Sequence, residues 1–549
     1  MNTARRNRNQ SNSLASIRWR RGLGRGGGTL ISFDCPSPQS SPHSFVHPPQ
    51  WCTIWCQTFL GCYGGRGVGR GRRFAQAAKT FMHSVTNSIF ILSVGALLGG
   101  CTMIPKYDRP AAPVSDSWPN GSTQTSATNN AAADIDWRDF FDDARLQTLI
   151  GLALENNRDL RIAALRVEEA RARYRIQRAE LFPGVQGEAN AFREKTSATV
   201  SDANRASLRT TYTVEASAAF ELDLFGRVRS LKKEALEKYF ATDEARKSLQ
   251  IALISEVASG YLTLLQWQEA KTIAQQTLEA VQASFNLNKR SFEAGAASEL
   301  DLRTAEAQVQ TAKVSVANYS QLLALSENAL VLLVGQPLPN NPPDGQSLRE
   351  QHLLTDLPVG IPSETLQRRP DILAAEHNLK AANADIGAAR AAFFPRILLT
   401  GSGGTASARL TDLFTGPSAI WSVSPQITVP IFEFGATRGK LDVSKIGKKI
   451  EIANYEKAIQ TAFREVADAL AVRSILDEKI KEQELLLNAQ QKRFDLTNAR
   501  YRQGVDSYVD VLLAQQDLYA AQQFLLQFQA SRLLNAVTFY RSLGGGWKS

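Results

Sequence analysis

Arg500-Tyr-Arg-Gln-Gly504-Val-Asp-Ser507-Tyr-Val-Asp510 is the stretch around which the chain is organised. Helical periodicity runs into it and out of it. Gly504 ends the first helix and Ser507 caps the second. Asp510 lies in the second helix's first turn, where a carboxylate meets the positive end of the dipole. Alone this is a helical hairpin. The same tip occurs 209 residues earlier as Ser291-Phe-Glu-Ala-Gly295-Ala-Ala-Ser298-Glu-Leu-Asp301, with Gly295, Ser298 and Asp301 matching Gly504, Ser507 and Asp510. The chain is built twice.

Working outward, the first copy predicts a helix over 144–182, a strand over 185–192, a polar loop over 193–210 and a strand over 211–224. In the last, Tyr212, Val214, Ala216, Ala218, Phe220 and Leu222 alternate with Thr211, Thr213, Glu215, Ser217, Ala219 and Glu221. Its length slightly exceeds the roughly 9–11 residues of a tilted membrane-crossing strand. A proline-free helix follows over 227–290, on the order of 95 Å long at 1.5 Å per residue, and a return helix over 302–333. The second copy repeats the order: strands over 397–404 and 421–432, a long helix over 436–498 and a return helix over 508–541. Asp159 and Pro183 match Asp371 and Pro395 at an offset of 212, whereas Phe225-Gly226 and Val334-Gly335 match Phe434-Gly435 and Leu543-Gly544 at 209. The slip falls in the strand loops, where length is free to vary. Pro425 cannot donate to a ladder, so a local break is expected there. No stretch past residue 100 reads as a transmembrane helix.

The domains expected are a leader and signal peptide over 1–100, an N-terminal tether over 101–142, a first repeat over 143–338, a linker over 339–362, a second repeat over 363–546 and a tail over 547–549. In each repeat the two shorter helices together nearly equal the long one, so they can stack end to end along it, with coiled-coil-like packing. Four strands with one apolar face cannot close a barrel, and open edges are not tolerated in lipid. Three chains would supply twelve strands, an even number within the outer-membrane range.

The first hundred residues carry 12 Lys and Arg against one acid, Asp34; the whole chain is +10, so the remainder is −1. The high pI belongs to the leader and does not signal nucleic-acid binding by the folded part. Cys52-x3-Cys56-x5-Cys62 lacks paired zinc spacing. The apolar run over 88–98 suits a signal-peptide core and ends Leu98-Gly-Gly-Cys101, which resembles a lipobox with Cys101 lipidated. A signal 80 residues in implies a later true start, at Met82 or, with an alternative start codon, Val68.

These features resemble the outer membrane factor family, the TolC/OprM-type efflux channels, especially the NodT-type lipoprotein branch that works with RND pumps. The matching stretches are Cys101-Thr-Met-Ile-Pro-Lys-Tyr-Asp-Arg-Pro110, Phe463-Arg-Glu-Val-Ala-Asp-Ala-Leu470, the Arg500–Asp510 tip and Leu543-Gly-Gly-Gly-Trp547. The resemblance implies an α+β membrane protein: a homotrimeric 12-stranded β-barrel in the outer membrane, continuing into a periplasmic α-helical barrel. It implies export of small molecules with a periplasmic adaptor (membrane fusion protein) and an inner-membrane RND pump. The adaptor would meet the tips through Gly295, Ser298 and Asp301 and through Arg500, Gly504, Ser507 and Asp510. Ser291 stands where the first tip would carry the arginine, which puts equal docking at the two tips in question. The family often reads L-D-A-Q-R after the second tip; here Leu512-Leu513-Ala514-Gln515-Gln516 puts Leu513 in place of the acid and Gln516 in place of the arginine. The gate residues would be Val509, Leu513 and Gln516, with Val509 and Leu513 closing it by apolar contact indifferent to divalent ions, unless Leu513 packs between helices.

No catalytic constellation stands out. His352 falls in the linker, and His377 falls on a helix where a solvated histidine is the default. The carboxylates alternate with Lys and Arg at helical spacing, as on a solvated face. No enzyme activity, cofactor, metal or nucleic acid is expected beyond the lipid on Cys101 and contact with outer-membrane lipid. The competing readings are a type I protein-secretion channel, which the sequence separates poorly from drug efflux, and a coiled-coil structural lipoprotein, which leaves the paired strands unexplained.

Overall fold

The computed structural model describes residues 102–115, 117–118, 134–200, 205–339, 343–354 and 366–546. Cys101, the leader and the tail lie outside the described residues. Among the described residues, eight α-helices and four strands run in the order α1 (Trp137–Phe140), α2 (Ala144–Asn156), α3 (Arg158–Ala179), β1 (Gly184–Thr196), β2 (Ser207–Leu222), α4 (Arg227–Glu293), α5 (Glu299–Val334), α6 (Pro370–Ala391), β3 (Arg396–Ser407), β4 (Ala419–Thr428), α7 (Ala436–Arg502) and α8 (Tyr508–Ser542). The strands form one antiparallel sheet in sequence order. The duplication holds at the level of register. Gly184 faces Ala219 in the first hairpin, and their counterparts at the two offsets, Arg396 and Thr428, face each other in the second.

The register sorts the faces. One row carries Val185, Ala218, Gly401 and Val423, and the next carries Gly187, Ala216, Gly403 and Trp421. The opposite face carries Gln186, Ser217, Ser402 and Ser422 in one row and Glu188 beside Glu215 in another. An apolar band on one face and a polar surface on the other is what a barrel wall between lipid and a water-filled lumen requires.

Helix packing orders the wall. Long α4 packs against α3 above and α5 below, against α6 on its other side, and against α8; α7 packs against α6 and α8. The shorter helices do meet end to end. A Cβ at Gly335, after α5, would lie 2.5 Å from the Asn156 carbonyl oxygen, so only glycine at its φ of 79° fits there. The two junctions are bonded alike: Asn157 Nδ2 donates to Leu333 O at 2.8 Å, and its counterpart Arg369 donates from Nη1 to Ser542 O at 2.7 Å. One large apolar cluster around Tyr261, Leu262, Tyr455, Val466 and Tyr540 joins both repeats.

Several expectations are corrected. The helix expected over 144–182 breaks at Asn157, which is extended and whose Oδ1 caps α3 by accepting from Leu160 N. Part of the loop expected over 193–210 is strand: Arg193–Thr196 pair with Ser207–Thr210, because a backbone ladder does not need apolar side chains. β4 does not break at Pro425, which lies opposite Leu399; β4 is an edge strand, where a missing donor can face away from the sheet. β4 stops at Thr428 rather than residue 432, because β3 begins at Arg396 and offers nothing further to pair with. The described part of the tether is pinned. Pro105 O accepts from Asn383 at 2.9 Å, Arg109 pairs with Glu376, and Trp118 stacks on Phe463 at 5.0 Å. One stretch of α4 is long and apolar enough to cross a membrane, but more than half of it is buried in the core, as befits the central helix of the wall.

His377 is not solvated. Its Nδ1 lies 2.6 Å from the buried Glu237 carboxylate, which Lys233 also reaches at 2.5 Å. Nor are the acids all on a solvated face, since Asp143, Glu237 and Glu376 are buried.

Candidate functional site

The two hairpin tips are near copies in three dimensions. At the first, Gly295 has φ 75° and Ala296 N donates to Ser291 O at 2.8 Å; at the second, Gly504 has φ 76° and Val505 N donates to Arg500 O at 3.0 Å. Both are left-handed glycine caps that satisfy the carbonyls of the incoming helix. A reciprocal box then starts each outgoing helix. Ser298 Oγ accepts from Asp301 N at 3.1 Å while Asp301 Oδ2 accepts from Ser298 N at 3.3 Å; Ser507 and Asp510 do the same at 3.3 and 3.2 Å. Nothing lies within 4 Å of a Cβ built at either glycine, so backbone conformation, not space, demands glycine.

The tips differ in one ion pair. Arg500 donates from Nε and Nη2 to the two oxygens of Asp506 at 2.7 and 2.8 Å. The hydrogen bonds from Arg500 hold the Asp506 carboxyl below the usual aspartate range. At the first tip both partners are missing, replaced by Ser291 and Ala297. Asp506 escaped the sequence reading; the joint absence of both partners from the first copy was the available signal. The tips are also tied together: Tyr501 OH donates to the buried Asn288 Oδ1 at 2.9 Å. Tyr508 is buried beside Tyr501, and burial, with Tyr501 and Asp301 nearby, pushes its hydroxyl up to about 12.

On α8 the face bearing Tyr508, Val511, Leu512 and Ala514 is buried within the chain. Val509, Leu513 and Gln516, spaced i, i+4 and i+7, lie together on the exposed strip, with Val509 47% and Leu513 48% exposed. Leu513 therefore does not pack between helices of its own chain. Two acids flank this strip: Asp510 is bonded to Ser507, and Asp517 is held by Arg493 Nη1 at 2.6 Å.

A family model described as outer membrane efflux protein matches residues 149–336 and 361–545, one segment per repeat. The chain belongs to the outer membrane efflux protein family. Two Pseudomonas putida relatives, the toluene efflux pump outer membrane protein TtgC and the antibiotic efflux pump outer membrane protein ArpC, are each 45% identical over 467 residues, spanning 84% of this chain and 96% of theirs. The open state of the Neisseria gonorrhoeae MtrE outer membrane channel is a solved neighbour at 39% identity and a TM-score of 0.75, covering 82% of this chain and 99% of that one. The chain is thus an efflux channel protein of the outer membrane, of the strands-plus-helical-barrel architecture, and its family is a class of channels rather than of enzymes.

Proposed function

We propose that the chain forms a homotrimeric tunnel that exports small molecules, of the toluene and antibiotic kind for which its relatives are named, in a tripartite assembly with a periplasmic adaptor and an inner-membrane RND pump. One observation carries the ring. The sheet ends in two unpaired edges, β1 and β4, and each runs on into a helix of the wall: α3 leads into β1 and packs on α4, and β4 leads into α7, which packs on α6 and α8. A single chain is a curved wall with two unfinished margins, and cyclic association of three copies finishes both.

The tips are the docking surface for the adaptor, through Gly295, Ser298 and Asp301 on one and Arg500, Gly504, Ser507 and Asp510 on the other. Val509, Leu513 and Gln516 from three copies line the gate. Lipidation of Cys101 fits the path of its neighbours: Met103, Ile104 and Pro105 run against Arg390, Gly387 and Asn383, which places residue 102 near the end of α6 and the start of β3. A lipid there would lie at the foot of the barrel.

The test is planar-bilayer conductance of the detergent-purified protein, with its mass measured in the same detergent. Discrete channels from a trimer are expected. A monomer without conductance under any condition would overturn the reading.

A further inference from the structure

A groove crosses α4 near its middle, far from both tips and from the sheet. Ser255, Glu256 and Ser259 of α4 form its floor. Leu332 near the end of α5 forms one wall, and Thr538 and Arg541 near the end of α8 form the other. Its volume is about 410 Å³, within the range of roughly 300–1,000 Å³ usual for small-molecule sites.

The groove opens on the face of the wall opposite the apolar cluster. Ser259, Leu332 and Thr538 each stand two residues from a fully buried side chain, Tyr261, Leu330 and Tyr540, which is about 200° round the helix at 3.6 residues per turn. The Tyr261 and Tyr540 face is covered by α1 and the start of α2: Tyr261 OH donates to Asp143 Oδ2 at 3.0 Å, and Phe140 stacks on Tyr540 with ring centroids 4.1 Å apart. Three such layers turned inward would fill the tunnel that the ring encloses. The bare face, on which Leu332 is 78% exposed, is therefore the lumen side. Because α4 packs between α5 and α8 of its own chain, ring closure at the margins leaves the groove open.

The duplication shows what is unusual about its charges. At the offset of 209, Ser255, Glu256 and Ser259 correspond to Arg464, Glu465 and Asp468. In that second stripe the charges are used up: Glu465 is held by Arg369 at 2.9 Å, and Arg464 pairs with Asp468 at 3.9 Å. The first copy has Asn157 in place of Arg369, and its amide is spent on Leu333 O. Exposed Glu256 is left with no ion-pair partner among the described residues, and so is half-buried Arg541; they do not pair with each other.

We infer that this groove is a transit site in the tunnel wall for zwitterionic amphiphiles, small molecules with a cationic end, an anionic end and an apolar body between them. Its placement in the tunnel rests on the ring reading above. The carboxylate of Glu256 takes the cationic end, the guanidinium of Arg541 takes the anionic end, and the body lies on Leu332. A ligand with a single charge satisfies one of the two residues and leaves the other as it was. The site is open to water on one side, so each ion pair adds little, and the ligand is held weakly enough to leave again. Passage requires that balance, since a site that binds tightly blocks its own pore. Three copies would place three such sites at one height around the lumen.

The experiment is equilibrium dialysis of the full-length protein in non-ionic detergent, against the same detergent, with three matched probes. Ciprofloxacin carries a piperazinium and a carboxylate at opposite ends of a flat ring system; its methyl ester keeps only the cation, and its N-acetyl derivative only the anion. Ciprofloxacin should bind about three- to fivefold more tightly than either derivative, the worth of one partly exposed ion pair. Glu256→Gln should weaken ciprofloxacin and the ester by that factor and leave the N-acetyl derivative unchanged. Arg541→Gln should weaken ciprofloxacin and the N-acetyl derivative and leave the ester unchanged. Neither substitution breaks an ion pair, and the mass of each variant in detergent checks that it still assembles. A trimer by mass that binds the three probes equally, or whose preference survives both substitutions, would overturn the site and leave the channel standing. A monomer by mass would overturn the ring, and with it the place of the groove in a tunnel.

Discussion

Arg500 grips Asp506 with two parallel hydrogen bonds across the second tip, and the first tip lacks both residues. Two otherwise superimposable caps are therefore offered to a partner in different condition. In one, the loop after the glycine is tied back to the incoming helix; in the other, only the cap and the serine box hold it. Asp506→Ala or Arg500→Ala is expected to weaken capture of the adaptor and raise drug susceptibility several-fold, without changing trimer yield. The exchange R500D/D506R should recover much of the loss if the pair acts by shaping the tip. If Arg500 itself touches the adaptor, the exchange stays inactive while Asp506→Ala remains active. Adaptor pull-down and growth at limiting antibiotic distinguish these outcomes.

The glycines make a sharper prediction, because their surroundings are empty. Gly504→Ala meets no atom, so any defect comes from forcing a Cβ into the left-handed region, about 1–2 kcal/mol for an ordinary residue. Gly504→Asn should be milder than Gly504→Ala, and Gly504→Val worse than either. Efflux rates in that order, asparagine above alanine above valine, would check the conformational explanation; an order following side-chain size would count against it.

Glu237 is the place to look for pH dependence. Burial acts to raise its pKa, yet hydrogen bonds from His377 and Lys233 outweigh burial and hold it below the usual range. A carboxyl with a depressed folded value stabilises the fold fully above its ordinary pKa of about 4.3 and loses that contribution as pH falls through the lower folded value. Because the carboxylate stays ionised, His377 must donate to it from Nδ1. His377→Ala strips one partner from a buried charge and should cost about 1–3 kcal/mol, read as a lower melting temperature at neutral pH. The deficit should shrink in strong acid. A deficit that does not change with pH would assign His377 to packing alone.

Asp143 should be less forgiving. Its carboxylate accepts from Arg145 N, Leu146 N, Tyr261 OH, Gln346 N and Gln351 Nε2 at 2.5–3.1 Å, and so caps α2 while holding the 343–354 segment to α4. Asp143→Asn turns a donor toward other donors, at a cost of roughly 2–3 kcal/mol. Loss of folded protein should exceed that of His377→Ala, as measured by heat-modifiable mobility on gels.

The duplication, the long helices and both tips were legible because each leaves a periodic or punctuating signal: Gly504 before Ser507, the alternation of Tyr212 to Leu222, the matching Phe-Gly pairs. What stayed hidden depended on partners far along the chain. Asn157 looks like one more polar residue in a helix until Leu333 O is there to receive it. His377 looks solvated until Glu237, 140 positions away, is set beside it. Arg193–Thr196 look like loop because strand pairing beyond the lipid band carries no hydrophobic mark. Pro425 looks like a break because the sequence does not say that β4 lies at an edge.

The gate supplies the last prediction. Val509 and Leu513 are apolar members of the exposed strip on α8, and the acids beside them are both engaged, Asp510 with Ser507 and Asp517 with Arg493. Three copies would meet at the axis by apolar contact, which closes a pore by excluding water and offers a divalent cation no oxygen ligands. Wild-type conductance should therefore be indifferent to millimolar magnesium or calcium. Leu513→Ser should raise it, by wetting the constriction. Leu513→Asp should make it fall steeply when divalent ions are added, since three carboxylates at an axis form a hard-cation site. Arg493→Ala should give a weaker version of the same block, by freeing Asp517 without touching the apolar ring. A wild-type channel that closes in millimolar divalent cation would mean that carboxylates other than these control the constriction.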